Sequence, residues 1–582
     1  MEILRRFSHN GWILFFYLLV TLGLTYPLVT HLFTSIYGLI HDNVDTLNYM
    51  WAIQNVVYGG ESFESYSFRN FPSSFNLIDR YPMYTAELFV WFFALLIPSP
   101  VLGFNLLMIT KFTFACFSMY LLIKHLTGNK AVAFISGAIY GFSPYFPLMA
   151  LAYGPIFIPV FLPIFLWTLM RMLEQPSQRK LFECSLAFIL FFGEQFYYSY
   201  YLLVTFLVVS PFLLVFMRRD ITLFFKNVWA ARTGKRYLGT LLFFAIALAA
   251  FTPLLLDFRE DVISARSFTP TEAVERSATP MFYTTPSIGN ALLGDPHSMD
   301  LWGVAVSINL ENYELGLYLG ILPVSMLLLA WFFRSRLSRR QKNYLLLLSL
   351  MTGASIFLAL GLHPFNKFYT QLVTSDMRNW ESPTRVFYDF APMFRFLSRY
   401  HAITITCLVA GSALGFMLIM NIFKKWWWAQ KVVYLGLAIG LCLEYINWSP
   451  RNVTHIWKEM PQAYKELTKL KESVPILELP RRDFPTMIHH IAWQVFHKKK
   501  IAGDLLSPIY HTVDVKKKGD VERLKKDGFK YVVVSTKLEP VRRYPWQKPF
   551  PDVSMKEFNE KYELEHLTLV KKFPDSVLYR VE

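Results

Sequence analysis

Eleven apolar stretches of roughly bilayer length, spread over the first 450 residues, constrain this chain more than any motif does. A hydrocarbon core of ~30 Å takes about 20 apolar residues to cross as a helix, and a helix keeps its own backbone groups hydrogen-bonded there. Hydrophobic residues make up 54% and aromatic residues 17% of the 582, more than a soluble core needs, and the mean hydropathy is positive. The expected fold class is a polytopic α-helical membrane protein.

Charge sets the expected topology. Met1 to Asn10 carries Arg5 and Arg6 ahead of an apolar run from Gly11 to Val29, with no small-residue cleavage site, and reads as an uncleaved anchor. Short cytoplasmic loops collect Lys and Arg, so the N-terminus is placed in the cytoplasm. Ala86 to Pro98, about 13 residues, is too short for a span and reads as a re-entrant or interfacial helix.

The remaining spans follow as Val101 to Ile123, Ala131 to Ala150, Pro155 to Met170, Leu181 to Phe192, Ser199 to Met217 and Tyr237 to Pro253. Then come Leu315 to Phe333, Leu345 to Leu362, Ala402 to Phe423 and Val432 to Trp448. This count puts Lys124-His125, Arg171 to Lys180, Arg218-Arg219, Arg334 to Lys342 and Lys424-Lys425 inside. Leu181 to Phe192 is short, and counts as a span because the basic residues flanking it and its neighbour require two crossings. Counting Ala86 to Pro98 would invert everything after it.

Two domains are expected: a membrane domain over 1–448, with outer loops 30–100 and 254–312, and an extracytoplasmic tail over 449–582. The tail has short strand-like runs, Pro475 to Leu479 and Tyr531 to Val534, with a surface helix at Val521 to Lys526 between them, and reads as a small α/β domain. Its basic excess does not violate the charge rule, since long domains translocate regardless of charge. The formal net charge of +16 suits contact with anionic lipid. No basic run interleaved with aromatics suits nucleic acid. Cys116, Cys184, Cys407 and Cys442 all fall in or beside spans, which excludes a disulfide framework and makes cysteine a poor metal ligand here.

The chemistry starts in the loop after the first span, at His41-Asp42-Asn43-Val44-Asp45. Carboxylates near a bilayer surface are costly to keep without a partner or a task. Val44, Leu47, Met50-Trp51 and Val57 recur at helical spacing, so Val44 to Tyr58 is expected to lie flat with its apolar face on the membrane and Asp42 at its start. Helix capping by Asp42 or Asp45 weighs about equally against catalysis.

In chain order, further segments accompany this loop: the short apolar piece, Leu122-Ile123-Lys124-His125-Leu126-Thr127-Gly128, and Gly137-Ala138-Ile139-Tyr140-Gly141-Phe142-Ser143-Pro144. Glu194-Gln195-Phe196-Tyr197-Tyr198-Ser199-Tyr200-Tyr201, Glu314 to Gly320, Phe394-Arg395-Phe396-Leu397-Ser398-Arg399-Tyr400 and Leu477-Glu478-Leu479-Pro480 complete them. Together the chain resembles the GT-C glycosyltransferase superfamily, and within it the bacterial type with a periplasmic C-terminal domain. The resemblance implies a GT-C fold of about eleven spans plus juxtamembrane helices. It also implies an inverting hexosyl- or pentosyltransferase of the cytoplasmic membrane. Such an enzyme takes a sugar from a polyprenyl-phosphate donor and places it on a lipid, glycan or protein acceptor at the outer face.

Asp42 resembles the family's first-loop aspartate and is the expected base, with Asp45 second. Relatives usually carry Gly before this aspartate where this chain has His41, and an imidazolium beside a carboxylate weakens it as a base. Displacing a lipid phosphate also needs cations to hold the departing group. The candidates are Arg395, Arg399 and His401, with Arg259, Arg266 and Arg276 in the long loop. For Arg399 a snorkelling side chain at a helix end weighs equally, and Arg266 and Arg276 are expected to face water.

Glu194, Glu311 and Glu314 are possible acceptor-side or supporting acids, although for Glu194 an ion pair with one of the arginines is the favoured reading. Asp295, His297 and Asp300 make a poor metal signature, so no metal or cofactor is expected. The competing reading is a non-enzymatic membrane protein, either a transporter or flippase for a lipid-linked substrate or an envelope scaffold. Against a transporter, no internal repeat with mid-membrane charges is evident.

Overall fold

The computed structural model describes residues 2–38, 40–62, 88–216, 218, 222, 245, 270–284, 316–363, 381–445, 453–470, 472–479, 484–502, 515, 517–535 and 566–582. They form two units. The first is Met1–Thr25, Ile109–Ala150 and Pro155–Ser449, and the second is Tyr26–Met108, Leu151–Gly154 and Pro450–Glu582. The first outer loop therefore groups with the tail.

Six helices among the described residues are long and apolar enough to cross a membrane: Pro100–Thr127, Lys130–Leu151, Pro155–Glu174, Phe196–Phe216, Arg339–Ala359 and Leu397–Ile422. Asn10–Leu24 and Ile321–Phe332 are shorter apolar helices at two further expected spans. Gln178–Glu194 and Trp427–Tyr445 are helices at two more, outside those six. The expected span Tyr237 to Pro253 falls outside the described residues. Leu88–Leu96 has 9 residues. Residues 86 and 87 of the short piece left out of the span count lie outside the described residues. The chain is an integral membrane protein of mostly helical fold.

In the first unit the His401–Ile422 helix is the core, buried at every position from His401 to Leu418. A helix surrounded by others in lipid packs through small residues that let backbones approach. Gly411 and Gly415 do this, for a Cβ at Gly415 would overlap the Met326 carbonyl of Ile321–Phe332. The first turn of that neighbouring helix has backbone N–H groups that lipid cannot satisfy. Glu444 satisfies them, accepting from Leu322 N at 3.1 Å and from Ile321 N, as well as from the Tyr318 hydroxyl at 2.8 Å.

Three loops assigned to the cytoplasm by charge meet at one carboxylate in this unit. Glu174 Oε1 lies 3.1 Å from His125 Nε2 and 2.6 Å from Arg340 Nη2, and accepts from the Tyr344 hydroxyl at 2.7 Å. Such a shared partner requires these helix ends to lie together.

In the second unit β1 (Ile36–Tyr37) pairs antiparallel with β2 (Val453–Thr454). Asn105 Nδ2 donates to the carbonyls of Leu32 at 2.8 Å and Ser35 at 2.7 Å. The Ile40–Gly59 helix buries Leu47, Met50, Trp51 and Ile53. Thr46 Oγ1 donates to Tyr153 O at 2.8 Å and Gln54 Nε2 to Ile97 O at 2.6 Å. This corrects the expectation of a helix lying with its whole apolar face on the membrane: protein covers Leu47, Met50, Trp51 and Ile53, while Val57 stays 42% exposed.

The tail's sheet has the order β4-β3-β5-β7-β6, from β3 (Pro475–Leu479), β4 (Lys500–Ile501), β5 (Tyr531–Ser535), β6 (Thr568–Lys572) and β7 (Ser576–Arg580). β3 runs parallel to β4 and β5, and β7 antiparallel to β5 and β6. The Lys518–Lys526 helix precedes β5, burying Val521 and Leu524 with Val532 and Val534. The two strands and the helix expected from periodicity are all present.

Candidate functional site

The expected base lies in the second unit. Asp42 is the third residue of the Ile40–Gly59 helix, in the first turn where the peptide dipole favours an anion, and Asp45 is the sixth. Arg259, Arg266, Glu311, Glu314, Asp295, His297 and Asp300 lie outside the described residues.

In the first unit two sequence motifs converge. The aromatic run at the start of Phe196–Phe216 receives the turn before the core helix, with Tyr200 stacked on Phe394 at 3.8 Å and 6°. Tyr201 Oη donates to Phe396 O at 3.0 Å, and the Tyr201 and Tyr400 rings are 4.3 Å apart. Aromatic burial and the Tyr201 hydrogen bond fix the path of 394–400 and thereby aim its arginines.

Those arginines surround one ring. The guanidinium carbons of Arg399, Arg276 and Arg395 lie 3.9, 4.5 and 4.7 Å from the Phe396 centroid. Arg399 also lies 4.2 Å from the Phe157 ring and 5.2 Å from Tyr197. Ring faces hold cations in place electrostatically. At 4% exposure Arg399 does not snorkel to water.

Arg276 corrects an expectation, since it joins this cluster where the sequence suggested a solvent-facing side chain. Its segment is pinned by the Ser398 N–H donating to Arg276 O at 3.0 Å and the Ala278 N–H to Ala359 O at 2.8 Å. Gly361, at φ +79°, permits the contact, because a Cβ there would overlap Ser277 Oγ.

His401 follows two residues after Arg399 and is fully buried. Its ring meets Tyr145 at 5.0 Å and 70° and Tyr283 at 5.7 Å and 39°. Among the described residues neither ring nitrogen has a hydrogen-bond partner, and neither has the Tyr283 hydroxyl.

Glu194 sits apart from the arginines. Its oxygens accept from Val160 N at 2.9 and 3.0 Å and from Phe161 N at 2.8 Å, capping the Phe161–Glu174 helix. Lys111 Nζ lies 3.3 Å away, and both side chains are wholly buried. The ion pair is therefore with a lysine, not with one of the arginines proposed from sequence. Sequence reasoning passed over Lys111 inside an apolar span, although a lone ionisable residue there is itself a signal of a partner. Among the described residues no group of three His, Cys, Asp or Glu side chains stands positioned to hold a metal ion.

No protein-family model matches the chain, and no curated protein does. Solved structures that it resembles include the archaeal oligosaccharyltransferase AglB from Archaeoglobus fulgidus, in complex with an inhibitory peptide and a dolichol-phosphate. That match has 11% identity and a TM-score of 0.47, covering 92% of this chain and 70% of that one. ArnT from Cupriavidus metallidurans, bound to undecaprenyl phosphate, matches at 10% identity and a TM-score of 0.47, covering 98% of each chain. Arabinofuranosyltransferase AftD from Mycobacteria matches at 12% identity and a TM-score of 0.49, over 99% of this chain and 41% of its own. At such identities and scores, function has to be argued from this chain's own residues.

Proposed function

We propose that this chain is a GT-C type membrane glycosyltransferase that moves a sugar from a polyprenyl-phosphate donor to an acceptor at the outer face of the cytoplasmic membrane. The N-terminus is then cytoplasmic and the tail extracytoplasmic. The observation that carries the reading is the gathering of Arg276, Arg395 and Arg399 on the single ring of Phe396. Guanidiniums gathered at the entrance of a buried helix give that turn a positive field, which favours an anion. Guanidinium forks match phosphate oxygens in shape and charge.

In the proposed reaction the acceptor's heteroatom attacks the anomeric carbon as the bond from that carbon to the phosphate oxygen breaks with inversion. The acceptor proton goes to Asp42, with Asp45 as its alternate. The electron pair of the breaking bond leaves on the phosphate, whose charge the arginines stabilise.

The test is transfer of labelled sugar from a panel of polyprenyl-phosphate donors in membranes carrying wild type, Asp42→Asn, Asp45→Asn or Arg399→Gln at matched levels. Losses of roughly 100-fold or more are expected for Arg399→Gln and for Asp42→Asn. Activity surviving both aspartate changes moves the base to Glu311 or Glu314. A wild type that transfers nothing across the panel returns the chain to the non-enzymatic reading, in which the same arginines bind a lipid phosphate without chemistry.

A further inference from the structure

Polar atoms buried without a partner are few in native proteins, and each one calls for an explanation. Around the start of the core helix they concentrate: both nitrogens of His401, the Tyr283 hydroxyl, Ser398 Oγ and Thr279 Oγ1, all in residues under 9% exposed. They belong to two short segments, 279–283 and 398–401, which meet where the Tyr283 and His401 rings lie 5.7 Å apart, and the Ser398 N–H donates to Arg276 O just ahead of the first at 3.0 Å. Leaving such groups dry and unpaired costs roughly 1–3 kcal/mol each. Something with hydrogen-bonding capacity is expected to meet them.

The chemistry of the set is specific. An imidazole in its neutral form offers one donor and one acceptor, and a phenol or aliphatic hydroxyl offers both. Burial pushes the Tyr283 hydroxyl well above its ordinary value, with Tyr145 nearby adding to the shift, so it stays a donor. Phosphate oxygens only accept, and the guanidiniums of Arg399 and Arg395, which precede His401 in the chain, already suit them. A sugar hydroxyl both donates and accepts, and in a sugar phosphate it is tethered within a few bonds of the phosphate.

We infer that His401 and Tyr283 bind hydroxyl groups of the donor sugar, beside an arginine cluster that holds its phosphate. This gives His401 a different partner from the phosphate expected on sequence grounds, and it rests on the proposed donor class. Tyr283 becomes a residue that distinguishes a sugar-charged lipid from the bare carrier.

The experiment compares binding of undecaprenyl phosphate with that of undecaprenyl-phosphate hexoses and pentoses to the full-length protein in nanodiscs. Tyr283→Phe is the leading variant because it deletes an oxygen that no described residue holds, so its melting temperature should equal or exceed that of wild type. His401→Gln is the second. Each is expected to weaken the preferred sugar-charged lipid about 2- to 10-fold while leaving the bare lipid unchanged, the loss of one neutral hydrogen bond.

Equal effects on both lipids, or none on either, overturn the inference and leave these atoms to buried water. The same holds if wild type binds the sugar-charged lipids no more tightly than the bare one. Arg399→Gln separates the two levels. If it weakens both lipids while Tyr283→Phe and His401→Gln change neither, only the hydroxyl assignment fails. If Arg399→Gln changes neither lipid, the phosphate reading fails and takes this inference with it.

Discussion

Glu194 and His401 are buried to nearly the same degree, 1% and 0% exposed, and the fold treats them in opposite ways. Both oxygens of Glu194 are engaged, by two helix N–H groups and the Lys111 ammonium. The His401 ring has other rings against it and, among the described residues, no hydrogen-bond partner for either nitrogen. From sequence the two were comparable candidates, an acid and an imidazole near the outer ends of helices. The difference teaches that burial alone does not mark a functional group: a buried polar group whose bonds are all made supports the fold, whereas one whose bonds are open is available to a ligand.

The largest effect should come from breaking the satisfied side of this comparison. Glu194→Gln leaves the Lys111 ammonium buried without its counter-charge and should cost about 3–5 kcal/mol. Lys111→Met should cost less, because the Val160 and Phe161 N–H groups still hold the carboxylate. Pairing Glu194→Gln with Lys111→Met should recover part of the loss. Thermal unfolding in detergent checks all three, and single variants within ~0.5 kcal/mol of wild type would remove the pair from a structural role.

Next comes the joint that brings Arg276 to Phe396. Gly361→Ala forces a side chain into the left-handed region and against Ser277, at a cost of about 1–2 kcal/mol or more. It should weaken sugar-charged and bare lipid alike, since it displaces the arginine. Full retention of lipid binding would show that Arg276 is not needed at the ring.

A smaller effect is expected where a buried group is only half satisfied. In the tail His497 Nδ1 accepts the Lys499 N–H at 3.1 Å, while its Nε2 stands 3.7 Å from Glu478. Burial, and after it the Lys499 charge, hold His497 down at about 3. The unfolded chain takes up a proton that the folded chain refuses, so this stability is complete above about pH 6.5. It declines as pH falls toward 3, by at most about 1.4 kcal/mol per pH unit. The unfolding midpoint of wild type should fall across that range, and less so for His497→Gln. Equal slopes for the two would exclude His497 as the source.

Much of the fold was legible because lipid imposes so few solutions. Span length, the brevity of Ala86 to Pro98 and the alternation of basic loops follow from local composition. The same local rules found β3, β5 and the helix before β5. Composition could not show that the apolar face of Ile40–Gly59 is covered by protein, since a membrane and a neighbouring helix select the same residues.

The site was legible in part. Arg395, Arg399 and His401 could be named because they are near one another in the chain. Arg276 was named but weighed toward water, and Tyr283 was not named, because what places them here is a contact across more than a hundred residues at Phe396 and His401. Lys111 was visible as a lone charge in an apolar run, yet its partner was not.

The sequence by itself determined that this is a membrane chain, where its helices fall, and which charged residues lie at helix ends, because hydrophobic transfer and helix length act locally. Only the tertiary structure decided which buried polar groups are satisfied and which stay open. Hydrogen-bond satisfaction depends on atoms brought together from distant segments, so Glu194 as a cap and His401 as a ring without a described hydrogen-bond partner appear only once the helices are packed.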